Sequence, residues 1–325
     1  MPSLAREVVV MVTFRSILVD IDAASAEHPA FGAACDLAAR FAARVTLVDV
    51  MPELPRREEN VITRHADQEL ANRRLAALAD LARSRPDVNV STAVLRGKPA
   101  IAIIRQVLRA NHDLVVRSHA RDLVPGRLFG AVDMQLLRKC PCPVWLIGPE
   151  QPAYPPHILA AVDTESDLPG NEELNRTILD LALTIGEARH AEVTVLHVWS
   201  LYGEELLRSW MREEELCDAL ESARRTATEG LASLISALGD RATEVHIECV
   251  KGEPREVIPQ FATAHHVDIV VMGTVARTGI AGFVMGNTAE MVLRQLRGSV
   301  LAVKPPGFVT PVTLTEHAER PVVVV

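Results

Sequence analysis

Short runs of Val, Ile, Leu and Ala alternate along the chain with longer stretches whose apolar residues recur at helical spacing. The short runs are continuous, as in Ile17-Leu-Val19, Leu114-Val-Val116, Ile158-Leu-Ala-Ala-Val162 and Ile269-Val-Val-Met272. Continuous apolar strands are covered on both faces, which predicts a parallel sheet flanked by helices. Behind Asp22, the residues Phe31, Ala34, Cys35, Ala38 and Phe41 fall on one helical stripe. Leu174, Ile178, Leu181 and Ile185 do the same behind Asp163.

The pattern occurs twice. Arg15–Asp22 answers to His157–Asp163, and Ala43–Val50 answers to Ala191–Val198. Arg96-Gly-Lys-Pro99 answers to Lys251-Gly-Glu-Pro254, and Asp113–Val116 to Asp268–Val271. Cys142–Ile147 answers to Gly298–Val303. The offset is 141 from Asp22 to Asp163, 148 from Val50 to Val198 and 155 from Gly97 to Gly252, so the second copy carries two insertions. Matches that keep one order mark a tandem duplication. We read residues 1–150 as the first domain, 151–307 as the second, with the join in the Pro-rich stretch 149–156, and 308–325 as a tail. Pro311 and Pro321 argue against a helix in that tail, and Val322–Val325 could add an edge strand or hang free. Each copy reads β-α-β-α-β-α-β-α-β, an α/β fold with an open, doubly wound parallel sheet. Such sheets bind ligands at the carboxyl ends of the strands, where the strand order reverses.

Composition narrows the classes. The 325 residues are 48% hydrophobic, 23% charged and 4% aromatic, with a net charge of −8. An acidic chain poor in aromatics lacks the basic face and stacking platform of a nucleic-acid binder. No apolar run approaches the ~20 residues that span a bilayer, and Val8–Val12 is too short for a signal peptide's apolar region. The expectation is a cytoplasmic protein with no membrane or nucleic-acid partner. Met11 could be the native start, with residues 1–10 an upstream extension. Five scattered cysteines do not make a disulfide framework, and Cys140-Pro-Cys142 is not a C-x-x-C site.

The informative segment runs from Val267 to Arg294. A strand ends in Met272-Gly273, glycines follow at 279, 282 and 286, and a helix begins near Asn287, with Asn287 or Thr288 as its N-cap. Glycines there let backbone approach a ligand, and the free N–H groups of a helix start attract an anion such as phosphate. The same glycines could equally be ordinary turn residues.

At this segment the sequence resembles the universal stress protein family, and its tandem, E-type members in particular. The family signature is Gly, two residues, Gly, nine residues, Gly, then Ser or Thr. Gly273 and Gly286 match its first and third glycines, while Ala276 and Asn287 depart from it. The resemblance covers both repeats. It implies two flavodoxin- or Rossmann-like domains and, in some members, bound ATP. Carried over by position, the implied ligand-binding residues are Asp163 near adenine and ribose, Val198 against the base, and Gly273, Ala276, Gly286, Asn287 and Thr288 around the phosphates, with Met272 also in the site. No catalytic residue and no metal site is implied. In single-domain members the last strands pair between subunits, so Val144–Ile147 and Val300–Val303 could meet antiparallel as an intramolecular pseudo-dimer, and two such chains could still form a homodimer.

The first copy departs further. Arg117 or Ser118 stands at the first glycine, Pro125 interrupts the loop, and Gly130 is followed by Ala131. Arg117 could meet an acidic ligand or pair with Asp122. His197 reads as a satisfied interior imidazole, and adjacent His265 and His266 cannot share one ion. Trp199, Tyr202 and Trp210 sit in an insertion, as core filling, a lid or a partner contact. The expectation is a non-enzymatic stress-response protein that binds a phosphate-bearing small molecule, ATP or a related nucleotide, in its second domain. The alternatives are an acyl or sugar-nucleotide ligand, with Phe283, Met285 and Trp199 lining the cavity; an interaction module with dead sites; and weak ATPase or autophosphorylation activity.

Overall fold

A computed structural model describes residues 13–53, 60–118, 129–148, 154–166, 168–274, 285–314 and 322–324. The first half alternates strand and helix: β1 (Ser16–Asp20), α1 (Pro29–Phe41), β2 (Arg44–Met51), α2 (Val61–Arg83), β3 (Asn89–Arg96), α3 (Pro99–Ala110), β4 (Leu114–Ser118), α4 (Ala131–Lys139) and β5 (Val144–Ile147). The second half repeats this with β6 (His157–Val162), α5 (Asn171–Arg189), β7 (Glu192–Trp199), α6 (Glu204–Trp210), α7 (Glu213–Ser236), β8 (Val245–Lys251), α8 (Pro254–Ala264), β9 (Ile269–Gly273), α9 (Asn287–Gln295) and β10 (Ser299–Val303). The short helix α6 and a 3₁₀ turn at Gly239–Glu244 have no counterpart among the described residues of the first half.

All these strands join one sheet, in the order β11-β3-β2-β1-β4-β5-β10-β9-β6-β7-β8, where β11 is Val322–Val324. Strands within each half are parallel, and the order reverses between β1 and β4 and again between β6 and β9. Successive residues of a strand feed opposite faces. Ile17 and Val19 pack into a core with α1, α2, α5 and α7, whereas Leu18 packs with α3, α4, α8 and α9. Both cores run through both halves. That double coverage is why the strand sequences read as unbroken apolar runs.

The halves meet where β5 pairs antiparallel with β10, Trp145 lying opposite Leu301. The backbones come close at this seam. A Cβ added to Gly148 would lie 2.9 Å from the Gly298 carbonyl carbon, and the Gly148 N–H donates to Ser299 Oγ at 3.0 Å. The repeated Gly-x-Pro corners have a local cause. Gly97 and Gly252 adopt φ of 119° and 151°, which side chains disfavour, and the following prolines open α3 and α8.

The tail returns to the first half. Val312 is buried there, Arg105 Nε of α3 donates to the Thr313 carbonyl, and β11 adds to β3 as an antiparallel edge strand. Of the three insertion aromatics, only Trp199 fills core. Tyr202 and Trp210 are 97% and 83% exposed; Trp210 ends α6, which buries none of its residues, and Tyr202 lies in the turn before it. Among the described residues no helix is long and apolar enough to cross a membrane.

Candidate functional site

The carboxyl ends of β6, β7 and β9 open into a crevice of about 960 Å³ at the second switch point. Asp163 follows β6, and two amides a helical turn apart on α5 fix its backbone. Asn171 Nδ2 and Asn175 Nδ2 both donate to the Asp163 carbonyl, at 2.7 and 2.6 Å, and Asn175 Oδ1 accepts the Asp163 N–H. One carboxylate oxygen accepts the Glu165 N–H within the turn. These asparagines were missed in the sequence, although Asn171-Glu-Glu-Leu-Asn175 carries the spacing that would have revealed them.

Val198 ends the β7 side of the crevice, and Met272 and Gly273 end the β9 side. The start of α9 also lines the crevice, with Gly286, Asn287 and Thr288 in the wall. The sequence-predicted residues thus share one crevice, except Ala276, which lies outside the described residues together with Phe283. Trp199 and Met285, expected to line an enlarged cavity, do not line it; both are buried in the core.

Two details of the helix start differ from expectation. The N-cap is Gly286, in extended conformation, and Asn287 is already the first helical residue, with no side chain capping the end. The Gly286 N–H is also taken, donating to the Thr274 carbonyl at 3.3 Å. That leaves the amides of Asn287, Thr288 and Ala289, for which no acceptor exists among the described residues. These first-turn donors lie at the positive end of the helix dipole. Asp163 and Glu165 also line the crevice, and burial, with Asp163 adding, raises the Glu165 carboxyl above its usual range while His197 opposes the shift. His197 is buried and half satisfied. Its Nδ1–H donates to the Val162 carbonyl at 3.2 Å, and Nε2 has no partner among the described residues.

The first half is built differently at the same points. Strand register settles that Ser118, and not Arg117, matches Gly273, because Asp20 pairs with Arg117 as Ala161 pairs with Met272. Arg117 forms ion pairs with Asp20 and with Asp133, the latter at 2.9 Å, and both carboxylates are only 3% exposed. Asp133 also accepts the Gly130 N–H at 2.9 Å, capping α4 from within. Asp122, the other partner considered for Arg117, lies outside the described residues. The equivalent trio in the second half is Ala161, Met272 and Ala289, all apolar. In the first half the Asp133 carboxylate takes the N-cap amide of Gly130; in the second the Thr274 carbonyl takes that of Gly286, and Ala289 stands in the carboxylate's place.

Elsewhere, His265 stacks on Phe261 with ring centroids 4.1 Å apart, and the Cys140 and Cys142 sulfurs, both thiols, lie 3.6 Å apart in the interior.

Two doubly wound α/β halves fused through their last strands, each with a crevice at its switch point, define a tandem ligand-binding class of fold. Comparison with known proteins names the family. A sequence model of the universal stress protein family matches residues 13–148 and again 156–304. Universal stress protein E of Escherichia coli K12 is 33% identical over 230 residues, covering 70% of this chain and 71% of that protein. A protein from Pseudomonas aeruginosa, solved with its function unknown, superposes with a TM-score of 0.68 at 26% identity, over 90% of this chain and 93% of that one. A universal stress protein from Archaeoglobus fulgidus shares the fold with a TM-score of 0.59 at 16% identity, over 89% and 98% of the two chains. The chain belongs to the universal stress protein family, as a tandem, E-type member.

Proposed function

We propose that the second half binds a phosphate-bearing small molecule, ATP or a related nucleotide, as the protein's part in a stress response. The observation that carries this reading is the start of α9, where three amides with no acceptor among the described residues line a crevice large enough for such a ligand. Phosphate oxygens meet the amides of Asn287, Thr288 and Ala289 beside Gly273 and Gly286. The Asp163 carboxylate and Asn171 Oδ1 offer acceptors to sugar hydroxyls, and Val198 and Met272 give the base an apolar wall. The lining supplies groups that hold a ligand, so we read the crevice as a binding site and not as a catalytic centre.

Isothermal calorimetry with ATP, backed by native mass spectrometry of the purified protein, tests the reading. Gly286→Asp sets a carboxylate against the phosphates. Two like charges 4 Å apart repel by about 4 kcal/mol at an effective dielectric constant near 20, so an affinity loss of at least ~100-fold is expected. Gly130→Asp, at the equivalent point of the first half, leaves ATP affinity unchanged. Equal losses in both variants, or unchanged affinity in Gly286→Asp, would overturn the assignment.

A further inference from the structure

Lys304 follows β10 and is 8% exposed. Its ammonium group donates to the Leu137 carbonyl in the last turn of α4, in the first half, and to Thr274 Oγ1 in the second. The ring of Phe308 lies 5.3 Å away, and among the described residues no carboxylate pairs with it. The carbonyl end of α4 supplies the partial negative charge that a buried cation needs. Burial pushes the Lys304 amine down to about 8; the thiols of Cys140 and Cys142, the other titratable groups close to it, oppose that shift.

Thr274 is fully buried and is tied at three points. Its N–H donates to the Val303 carbonyl, its hydroxyl meets Lys304, and its carbonyl accepts the Gly286 N–H. A continuous line of hydrogen bonds therefore runs from α4 of the first half, through Lys304 and Thr274, to the N-cap of α9. The register of β5 and β10 makes Gly148 the first-half counterpart of Lys304, so the lysine occurs only beside the open crevice.

We propose that Lys304 is a positioning residue for the second-half crevice, bracing Thr274 and the start of α9 against the first half. The inference rests on reading that crevice as an anion site, and its test separates the two. The first measurement needs no ligand: amide hydrogen exchange of Lys304→Met and of the milder Thr274→Val in the free protein. Both variants should speed exchange at Gly286 by at least tenfold and leave β1 at its wild-type rate. Exchange at Gly286 unchanged in both, or accelerated equally throughout the protein, overturns the proposal.

The second measurement is ATP affinity from pH 7 to 9.5. Wild-type affinity should fall several-fold around pH 8 as the ammonium loses its charge, and Lys304→Met should be weaker at pH 7 and flat across the range. A wild-type pH dependence retained in Lys304→Met overturns the proposal. If wild-type protein binds no ATP at any pH, the nucleotide reading fails and the exchange result alone decides the brace.

Discussion

The Arg117 cluster gives the sharpest energetic test. Arg117→Met leaves Asp20 and Asp133, each 3% exposed, facing one another without the guanidinium between them. Removing one partner of a buried ion pair costs roughly 3–5 kcal/mol. With two carboxylates stranded, the upper end of that range is expected. The triple variant Asp20→Ala, Arg117→Met, Asp133→Ala installs the residues that the second half carries at Ala161, Met272 and Ala289. Replacing a buried ion cluster by apolar groups is often neutral or stabilising; here the lost cap on the Gly130 N–H costs about 1 kcal/mol. The triple variant should therefore lie within about 2 kcal/mol of wild type and at least ~2 kcal/mol above the single variant. Guanidinium denaturation followed by far-ultraviolet circular dichroism at pH 7 measures both differences. A cost below ~1 kcal/mol for Arg117→Met, or a triple variant no more stable than the single one, would refute the reading of this cluster as a buried, mutually compensating set of charges.

Three further outcomes can be checked. His112 is buried with Nδ1 2.8 Å from Ser16 Oγ, and burial lowers its pKa from 6.5 to about 4. The unfolded chain then binds the extra proton between those values, so stability falls as pH drops from about 6.5 to 4, by about 3 kcal/mol in all; His112→Asn should flatten that slope in denaturation midpoints measured across the range. Gly273→Ser copies Ser118, but its Cβ would lie 2.9 Å from Leu174 Cδ2 and drive that side chain into the crevice. ATP affinity should fall roughly tenfold with a stability change under ~1.5 kcal/mol, and unaltered affinity would show that Gly273 does not face the ligand. Truncation after Leu314 removes β11 and should speed amide exchange at Ala93 and Val94, with exchange at Ile17 unchanged.

Much of this architecture was legible because parallel strands and their helices leave periodic marks. Ile17-Leu-Val19 and Ile269-Val-Val-Met272 declared strands covered on both faces, and the paired Gly-x-Pro corners declared the duplication. The antiparallel contact of Val144–Ile147 with Val300–Val303 followed from the repeat once the resemblance was recognised. The Asp20–Arg117–Asp133 cluster was not legible, since its members come from three elements and meet only when β4 pairs with β1. Arg117 alone could be given a partner from its own loop, and Asp122 was the natural candidate. Cap identity was missed for a local reason: Asn287 is a good capping residue, but extended backbone at Gly286 starts the helix one residue earlier. Tyr202 and Trp210 look like core residues by type, and only the position of α6 shows that they face solvent.

The antiparallel join of β5 to β10 has an evolutionary consequence. When two identical subunits associate through their last strands, every mutation appears twice, and a crevice can be lost only in both copies together. Fusing the copies into one polypeptide removes that constraint. The guanidinium of Arg117 and the ammonium of Lys304 each appear once, one tied into ion pairs in its own half and the other reaching across to the first half from beside the second-half crevice. A duplicated chain can thus keep one copy as a receptor while the other drifts into the role of scaffold.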